Sequence, residues 1–176
     1  MTTPSAAPVD WAGTPVAMAQ FIVAQGEKYL QAQMQMAVAS DQRAMTMAGV
    51  FSAIATATIA GAIAYWDKSA SAPILAGGLS GGLCMLLGAA ICLWSARQVD
   101  FYYPGNEPAH WYASRKDSLP QSLGGEAENY QGHIVANAIV LERCGKTLGA
   151  GAAISVAAPL VAVLAWWTAT SLSCPA

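Results

Sequence analysis

Three apolar runs without a single charged residue dominate the hydrophobic pattern of this chain, at residues 45–66, 73–96 and 147–170. Each run has about 22–24 residues, and a helix of about 20 residues at a rise of about 1.5 Å per residue crosses a hydrocarbon core of about 30 Å. The pattern therefore predicts an all-α integral membrane protein with three transmembrane helices, the first two forming a hairpin.

Polar segments precede the first and third runs, and both carry helical signals. Thr14-Pro15 supplies a capping hydroxyl and then a proline at the first helical position, and Glu126 and Glu128 suit the positive end of a helix dipole. We expect each polar helix to continue into the span that follows it. The predicted segments are a disordered N-terminus (1–14), a cytoplasmic helix (15–44), the transmembrane hairpin (45–96), a cytoplasmic or interfacial loop (97–125), a second cytoplasmic helix (126–146), the third transmembrane helix (147–170) and an outer tail (171–176).

The second polar helix has seam residues at alternating spacings of four and three, which is the coiled-coil pattern. In the first polar helix Met18, Ile22, Tyr29 and Met36 recur at near-heptad spacing, with Gln25 and Ala32 at the intervening positions. The spacing predicts that these long cytoplasmic extensions form a helical bundle, within one chain or between chains. A polar Asn137 in the second seam would fix register or oligomeric state. The first seam is Met18, Ile22, Gln25, Tyr29, Ala32 and Met36, and the second is Tyr130, Ile134, Asn137, Leu141, Cys144 and Leu148.

Charge is scarce and unevenly placed. Only 10% of the residues are charged, against about 25% in a soluble domain, and the net charge of -2 gives no sign of a nucleic-acid partner. Basic residues mark the cytoplasmic side of a membrane protein, so we expect a cytoplasmic N-terminus and an outer C-terminus that includes Cys174. Seven basic residues fall on the expected inner side (Lys28, Arg43, Arg97, Arg115, Lys116, Arg143 and Lys146) and one on the other (Lys68).

Small residues recur at every fourth position within the spans. Gly77 and Gly81 form one such pair, and Gly78 and Gly82 form a second, overlapping pair. Faces of this kind let helix backbones approach closely in lipid. They predict tight helix packing and a homo-oligomer. The other glycines assigned to this role are Gly61, Gly145 and Gly149.

Candidate chemistry is sparse. No span contains an acidic or basic residue or a histidine, which argues against coupled transport. The cysteines form no Cys-x-x-Cys pair, and His110 and His133 have no metal-site spacing. Gly145-Lys146-Thr147 resembles the end of a phosphate-binding loop, but Val140 stands where its first glycine is required. The sequence therefore predicts no catalytic residue, no metal, no cofactor and no enzymatic activity.

The segment between the second span and the second polar helix is rich in aromatic residues and holds two adjacent basic residues. Two interpretations stay open: a belt of rings at headgroup depth, or a ligand pocket built from stacking rings and cations. The residues concerned are Tyr102, Tyr103, Trp111, Arg115 and Lys116.

The junction Ser40-Asp41-Gln42-Arg43-Ala44 leads directly into the first span. It resembles the Ala-Asp-x-Lys-Ala-like junction of small membrane effectors in bacterial cyclic-nucleotide anti-phage systems, the Pycsar transmembrane effectors and related two-span effector domains. This chain has Ser40 for the first alanine and Arg43 for the lysine. The resemblance implies a bacterial inner-membrane protein that oligomerises and disrupts the membrane after sensing a cyclic nucleotide or a partner. No nucleotide-binding residue carries over.

Two functions from different classes follow. The first is a non-enzymatic, oligomeric, membrane-disrupting or pore-forming effector triggered through its cytoplasmic helices. The alternative is an accessory or structural subunit of a larger membrane complex. The expected partners are the lipid bilayer, further copies of the chain, and another membrane protein or a cyclic nucleotide.

Overall fold

The computed structural model describes residues 9–97, 99–106, 108–112 and 114–173. Within these residues every regular element is helical, which confirms the predicted all-α class. Three of the helices are long and apolar enough to cross a membrane. The elements are α1 (Val16–Ser69), α2 (Ala72–Ser95), the single-turn α3 (Pro108–Trp111), a 3-10 turn (Ser114–Lys116) and α4 (Leu119–Ser173).

The connection between α1 and α2 is only two residues long, shorter than the polar turn predicted at 67–72. α1 continues through Ser69, and α2 already begins at Ala72, with Pro73 in its first turn. Ala70 closes α1 with a positive φ of 48°, and its N–H donates to the carbonyl of Trp66 at 2.8 Å. A left-handed residue at this position is a common way to end a helix.

α4 begins at Leu119 rather than at Glu126, so the end of the predicted loop belongs to the helix. Its start is a capping box, in which the residue before the helix and the third helical residue bond each other. The N–H and hydroxyl of Ser118 both donate to Oε1 of Gln121, at 3.2 and 2.9 Å. Gly124 and Gly125, at the end of the predicted loop, lie inside the helix.

The N-terminal segment differs from the expected disordered stretch where it is described. The indole of Trp11 packs against Gly124 of α4, where a side chain would leave no room for it. Its Nε1 donates to Oε1 of Glu128 at 3.0 Å. The first eight residues and the tail from Cys174 onward lie outside the described residues.

The chain divides into two compact units. The polar unit comprises the residues up to Ala37 together with Val99–Leu141, and the apolar unit comprises Val38 to Arg97 together with the residues from Glu142 onward. α1 and α4 contribute to both units, whereas α2 belongs to the apolar unit alone.

Candidate functional site

The interior of the apolar unit consists mostly of small residues. Ala48, Ala89 and Cys92 form its buried cluster, against which Met47, Phe51 and Leu148 pack. Ala55, Ala62, Ser155 and Ala158 are also buried. Small side chains let three helices approach closely, and this is the packing that is typical of membrane-embedded helix bundles.

The four glycines of the two predicted pairs on α2 face helices of the same chain. A Cβ at Gly81 would lie 2.9 Å from the Cβ of Ala162, and a Cβ at Gly77 would lie 3.0 Å from the carbonyl oxygen of Ala162, both toward α4. Gly78 and Gly82 face α1 instead, where a Cβ would overlap Ala62 and Ile59. The two predicted glycine pairs therefore join α2 to both of its neighbours within one chain.

The tightest contact of the unit joins α2 and α4. A Cβ at Gly151 would lie 2.8 Å from the carbonyl oxygen of Gly88 and 2.9 Å from the amide nitrogen of Cys92, so backbone meets backbone here. Cys84 adds a weak bond from its thiol to the carbonyl of Ile154 at 3.5 Å. Sequence analysis did not single out Gly88 and Gly151, although both are small residues within apolar runs.

Three of the predicted packing glycines have no such neighbour. A Cβ at Gly61, Gly145 or Gly149 would meet nothing within 4 Å among the described residues. Gly145 and Gly149 lie one turn apart on α4 and are both exposed. Together they give α4 an open small-residue face.

The exterior of the apolar unit carries its large side chains. Val156, Leu160 and Leu87 are 71%, 70% and 57% exposed. A water-soluble protein buries such residues in preference to alanine and glycine. Other exposed large residues of this unit are Val50, Ile54, Ile63, Leu83, Leu93, Trp94, Val163, Leu164, Trp166 and Trp167. The arrangement is inside-out relative to a soluble fold.

The threonine hydroxyls of the first apolar run bond to carbonyls of the preceding turn. Thr56 Oγ1 donates to the carbonyl of Ser52 at 2.8 Å, and Thr58 Oγ1 donates to the carbonyl of Ile54 at 2.8 Å. Such bonds to the preceding turn are the ordinary fate of hydroxyls in apolar helices.

The interior of the polar unit is built differently, from large and polar side chains. Asn137, fully buried, accepts a bond from the N–H of Tyr102 and donates to its carbonyl, both at 3.0 Å. Gln33 donates from Nε2 to the carbonyl of Ile134 at 3.0 Å. Asn137 thus fixes the irregular segment after α2 to α4, a different task from the helix-register role that the sequence suggested.

A cluster of polar groups surrounds the hydroxyl of Tyr130. This hydroxyl accepts a bond from the N–H of Gly105 at 2.9 Å and donates to Oε1 of Glu27 at 3.3 Å. Burial raises the pKa of Tyr130, and the nearby carboxylates of Glu126 and Glu27 raise that pKa further. The amide of Asn106 donates to Oε2 of Glu126. The cluster joins α1, α4 and the segment before α3.

The two predicted helix seams have different outcomes. Tyr130 and Asn137 of the second seam are buried and its other members are partly buried. Every member of the first seam is exposed, from Met18 to Met36. α1 turns the neighbouring positions inward instead, where Ala19, Leu30 and Gln33 are buried. The first seam therefore does not pack within the chain, and its packing between chains stays a prediction. Within the chain, Gly26 of α1 faces the ring of Tyr130.

The predicted aromatic group is not gathered into one place by the contacts that the structure describes. Tyr102 stacks on His133 with ring centroids 4.3 Å apart and an interplanar angle of 7°. Tyr103 and Lys116 are exposed, and Trp111 is partly exposed. The side chain of Arg115 lies outside the described part of the chain. Both interpretations of this group stay predictions.

The described residues contain no group of three or more His, Cys, Asp or Glu side chains placed to hold a metal ion. A scan against protein-family models found no matching family, and searches of curated proteins and of solved structures found no match.

Proposed function

We propose that this chain is a three-span inner-membrane protein whose apolar unit lies in the bilayer and whose polar unit lies in the cytoplasm. In this proposal it acts without enzymatic chemistry, as an oligomeric effector that compromises the membrane when its polar unit is triggered. The observation that carries the membrane assignment is the inverted apolar unit, with glycine and alanine inside and leucine, valine and tryptophan outside.

The proposed orientation is supported by the basic residues. Arg97 follows α2 directly, and its guanidinium lies over the ring of Trp94, 4.8 Å from the centroid. A cation stacked on tryptophan suits the headgroup region. Lys146 pairs with Glu142 at 2.5 Å before the third span. Lys68, at the opposite end of the spans, is the only basic residue expected outside.

Single-cysteine variants test this orientation. In intact cells an impermeant thiol reagent should label a variant that keeps only Cys174 and should not label a variant that keeps only Cys144. After lysis both should react. The reverse pattern in intact cells would overturn the orientation.

Assembly is proposed to use the open small-residue face of α4, because the glycines of α2 already contact the same chain. The test replaces Gly145 and Gly149 together by leucine, which the open space at both positions accommodates within one chain. Gly132→Leu, at an equally open position of α4 outside the span, is the control. Chemical cross-linking reports assembly, and dye release from vesicles reports membrane damage.

The double variant should remain folded and inserted, lose its cross-linked oligomers and release at least ten-fold less dye than the control. Dye release at the control level from a correctly inserted double variant would sink the effector proposal.

The alternative function, an accessory subunit of a larger membrane complex, is favoured by one observation. The two overlapping glycine pairs of α2 contact α1 and α4 of the same chain, so they do not require a second copy as a partner. Native mass spectrometry after gentle extraction separates the two functions. A pure homo-oligomer supports the effector, and a fixed complex with other proteins supports the subunit.

A further inference from the structure

Glu126 is a buried carboxylate with an incomplete set of partners. It is 3% exposed, and its Oε1 receives no hydrogen bond from any residue that the structure describes. Within the same residues the sole ion pair is Glu142 with Lys146, so no described cation compensates Glu126. An isolated buried charge is costly, and something must therefore neutralise it.

A second carboxylate faces the same hydroxyl. The hydroxyl of Tyr130 lies 3.3 Å from Oε1 of Glu27, and its single proton can be donated to only one carboxylate at a time. The hydroxyl cannot also satisfy Oε1 of Glu126, and the amide of Asn106 occupies Oε2 alone. The carboxylates of Glu27 and Glu126 thus lie near one phenol, and the donors around them are too few for all their oxygens.

We propose that Glu126 and Glu27, together with the oxygen of Tyr130, form a binding site for a divalent cation such as Ca²⁺ or Mg²⁺. Carboxylate and hydroxyl oxygens are hard ligands of the kind these ions select, and such ions complete their coordination with water. Binding would use the free Oε1 of Glu126 and would compensate both charges.

The position of the site gives the bound ion a structural consequence. Glu27 lies on α1, Glu126 lies on α4, and Asn106 and Gly105 belong to the segment before α3. A cation held between these groups would fasten the three parts of the polar unit together. The inference does not rest on the proposed membrane activity, since it concerns the polar unit alone.

The test is a titration of the purified full-length protein in detergent with Mn²⁺, whose free form is counted by electron paramagnetic resonance. Glu126→Gln and Glu27→Gln remove one charge each while keeping the shape of the side chain. Glu128→Gln is the matched control, because Glu128 is exposed, lies two residues further along the same helix and loses the same charge.

The wild type and Glu128→Gln should each bind one Mn²⁺ per chain, with Ca²⁺ or Mg²⁺ in competition. Glu126→Gln and Glu27→Gln should bind at least ten-fold more weakly. Glu27 is only partly buried, so its variant keeps the test valid if Glu126→Gln fails to fold.

Two outcomes would overturn the proposal. Equal losses in all three variants would show that Mn²⁺ only gathers near surface acids. The absence of saturable binding in the wild type would show that no divalent cation occupies the site. Neither outcome affects the labelling and dye-release results that test the proposed function.

Discussion

The two units of this chain are built from the same two long helices but hold together by different means. In the polar unit the buried groups are large or polar, and Asn137, Gln33 and Tyr130 each bond a specific backbone or side-chain atom. In the apolar unit the buried groups are mostly glycine and alanine, and backbones touch where Gly88 meets Gly151.

The difference is the one expected if the polar unit lies in water and the apolar unit in lipid, as proposed. Water drives apolar side chains inward, so the polar unit needs hydrogen bonds chiefly to choose one arrangement. In lipid, burying a leucine gains no hydrophobic free energy, because lipid tails are equally apolar. Close packing between small residues then holds the helices together. In keeping with this, all three described buried side-chain atoms that lack a hydrogen bond belong to the polar unit, on Gln33, Glu126 and His133.

The largest effect is expected from alanine at the tightest glycine contact. Gly151→Ala places a methyl group against backbone atoms of Gly88 and Cys92, and it should lower the free energy of unfolding by about 3 kcal/mol, as severe overpacking does. Gly149→Ala, two residues away in open space, should raise it by about 1 kcal/mol because alanine favours helix. Unfolding in mixed detergent micelles measures both variants. Equal effects would contradict the close contact.

A smaller loss is expected when the polar unit loses its central amide. Asn137→Ala removes both bonds to the backbone of Tyr102 and should cost about 2 kcal/mol, because two backbone groups lose their partners. Hydrogen exchange of the Tyr102 amide should also become faster. Asn129→Ala, at an exposed position of the same helix, should change neither quantity. Unchanged exchange at Tyr102 in the Asn137 variant would disprove this role.

The smallest loss of stability is expected at Gly124, which contacts Trp11 in the polar unit. Gly124→Ala collides with the ring of Trp11, but that ring is carried by a terminal segment that can move aside, so the cost should be about 1 kcal/mol. Faster proteolysis near Trp11 would report its release. Gly125→Ala has open space and should leave that cleavage rate unchanged. A loss of unfolding free energy as large as that of Gly151→Ala would contradict the proposed difference in packing between the two units.

Local features of the fold followed from the sequence. The lengths of the apolar runs predicted the three long apolar helices, and their lack of charge supports the proposed spans. The second seam was identified correctly because Tyr130 and Asn137 stand in register with partly buried neighbours. The predicted second cytoplasmic helix begins at Glu126, whereas α4 begins at Leu119, where Ser118 and Gln121 have the spacing of a capping box. The adjacent glycines Gly124 and Gly125 are poor helix formers, so the local sequence favours a later start.

Features that depend on distant partners could not be predicted. Met18 and Tyr29 are more typical core residues than Ala19 or Gln33, yet Ala19 and Gln33 are the buried ones. The inward face of α1 depends on contacts with α4, such as that between Gly26 and the ring of Tyr130. Glu27 and Tyr130 stand 103 positions apart in the chain, so no local pattern reveals their contact. Likewise, the sequence shows the glycine pairs of α2 but not whether another chain or the same chain fills them.

The two-residue connection at Ala70 and Ser71 has a consequence for biosynthesis. With a linker this short, the apolar part of α1 cannot cross a bilayer while α2 remains outside it. If the chain inserts as proposed, the two helices must enter as one closed hairpin, and only the few polar groups near Asp67 and Lys68 are translocated. The α1–α2 connection then presents very little on the far side for a protease or an antibody to bind.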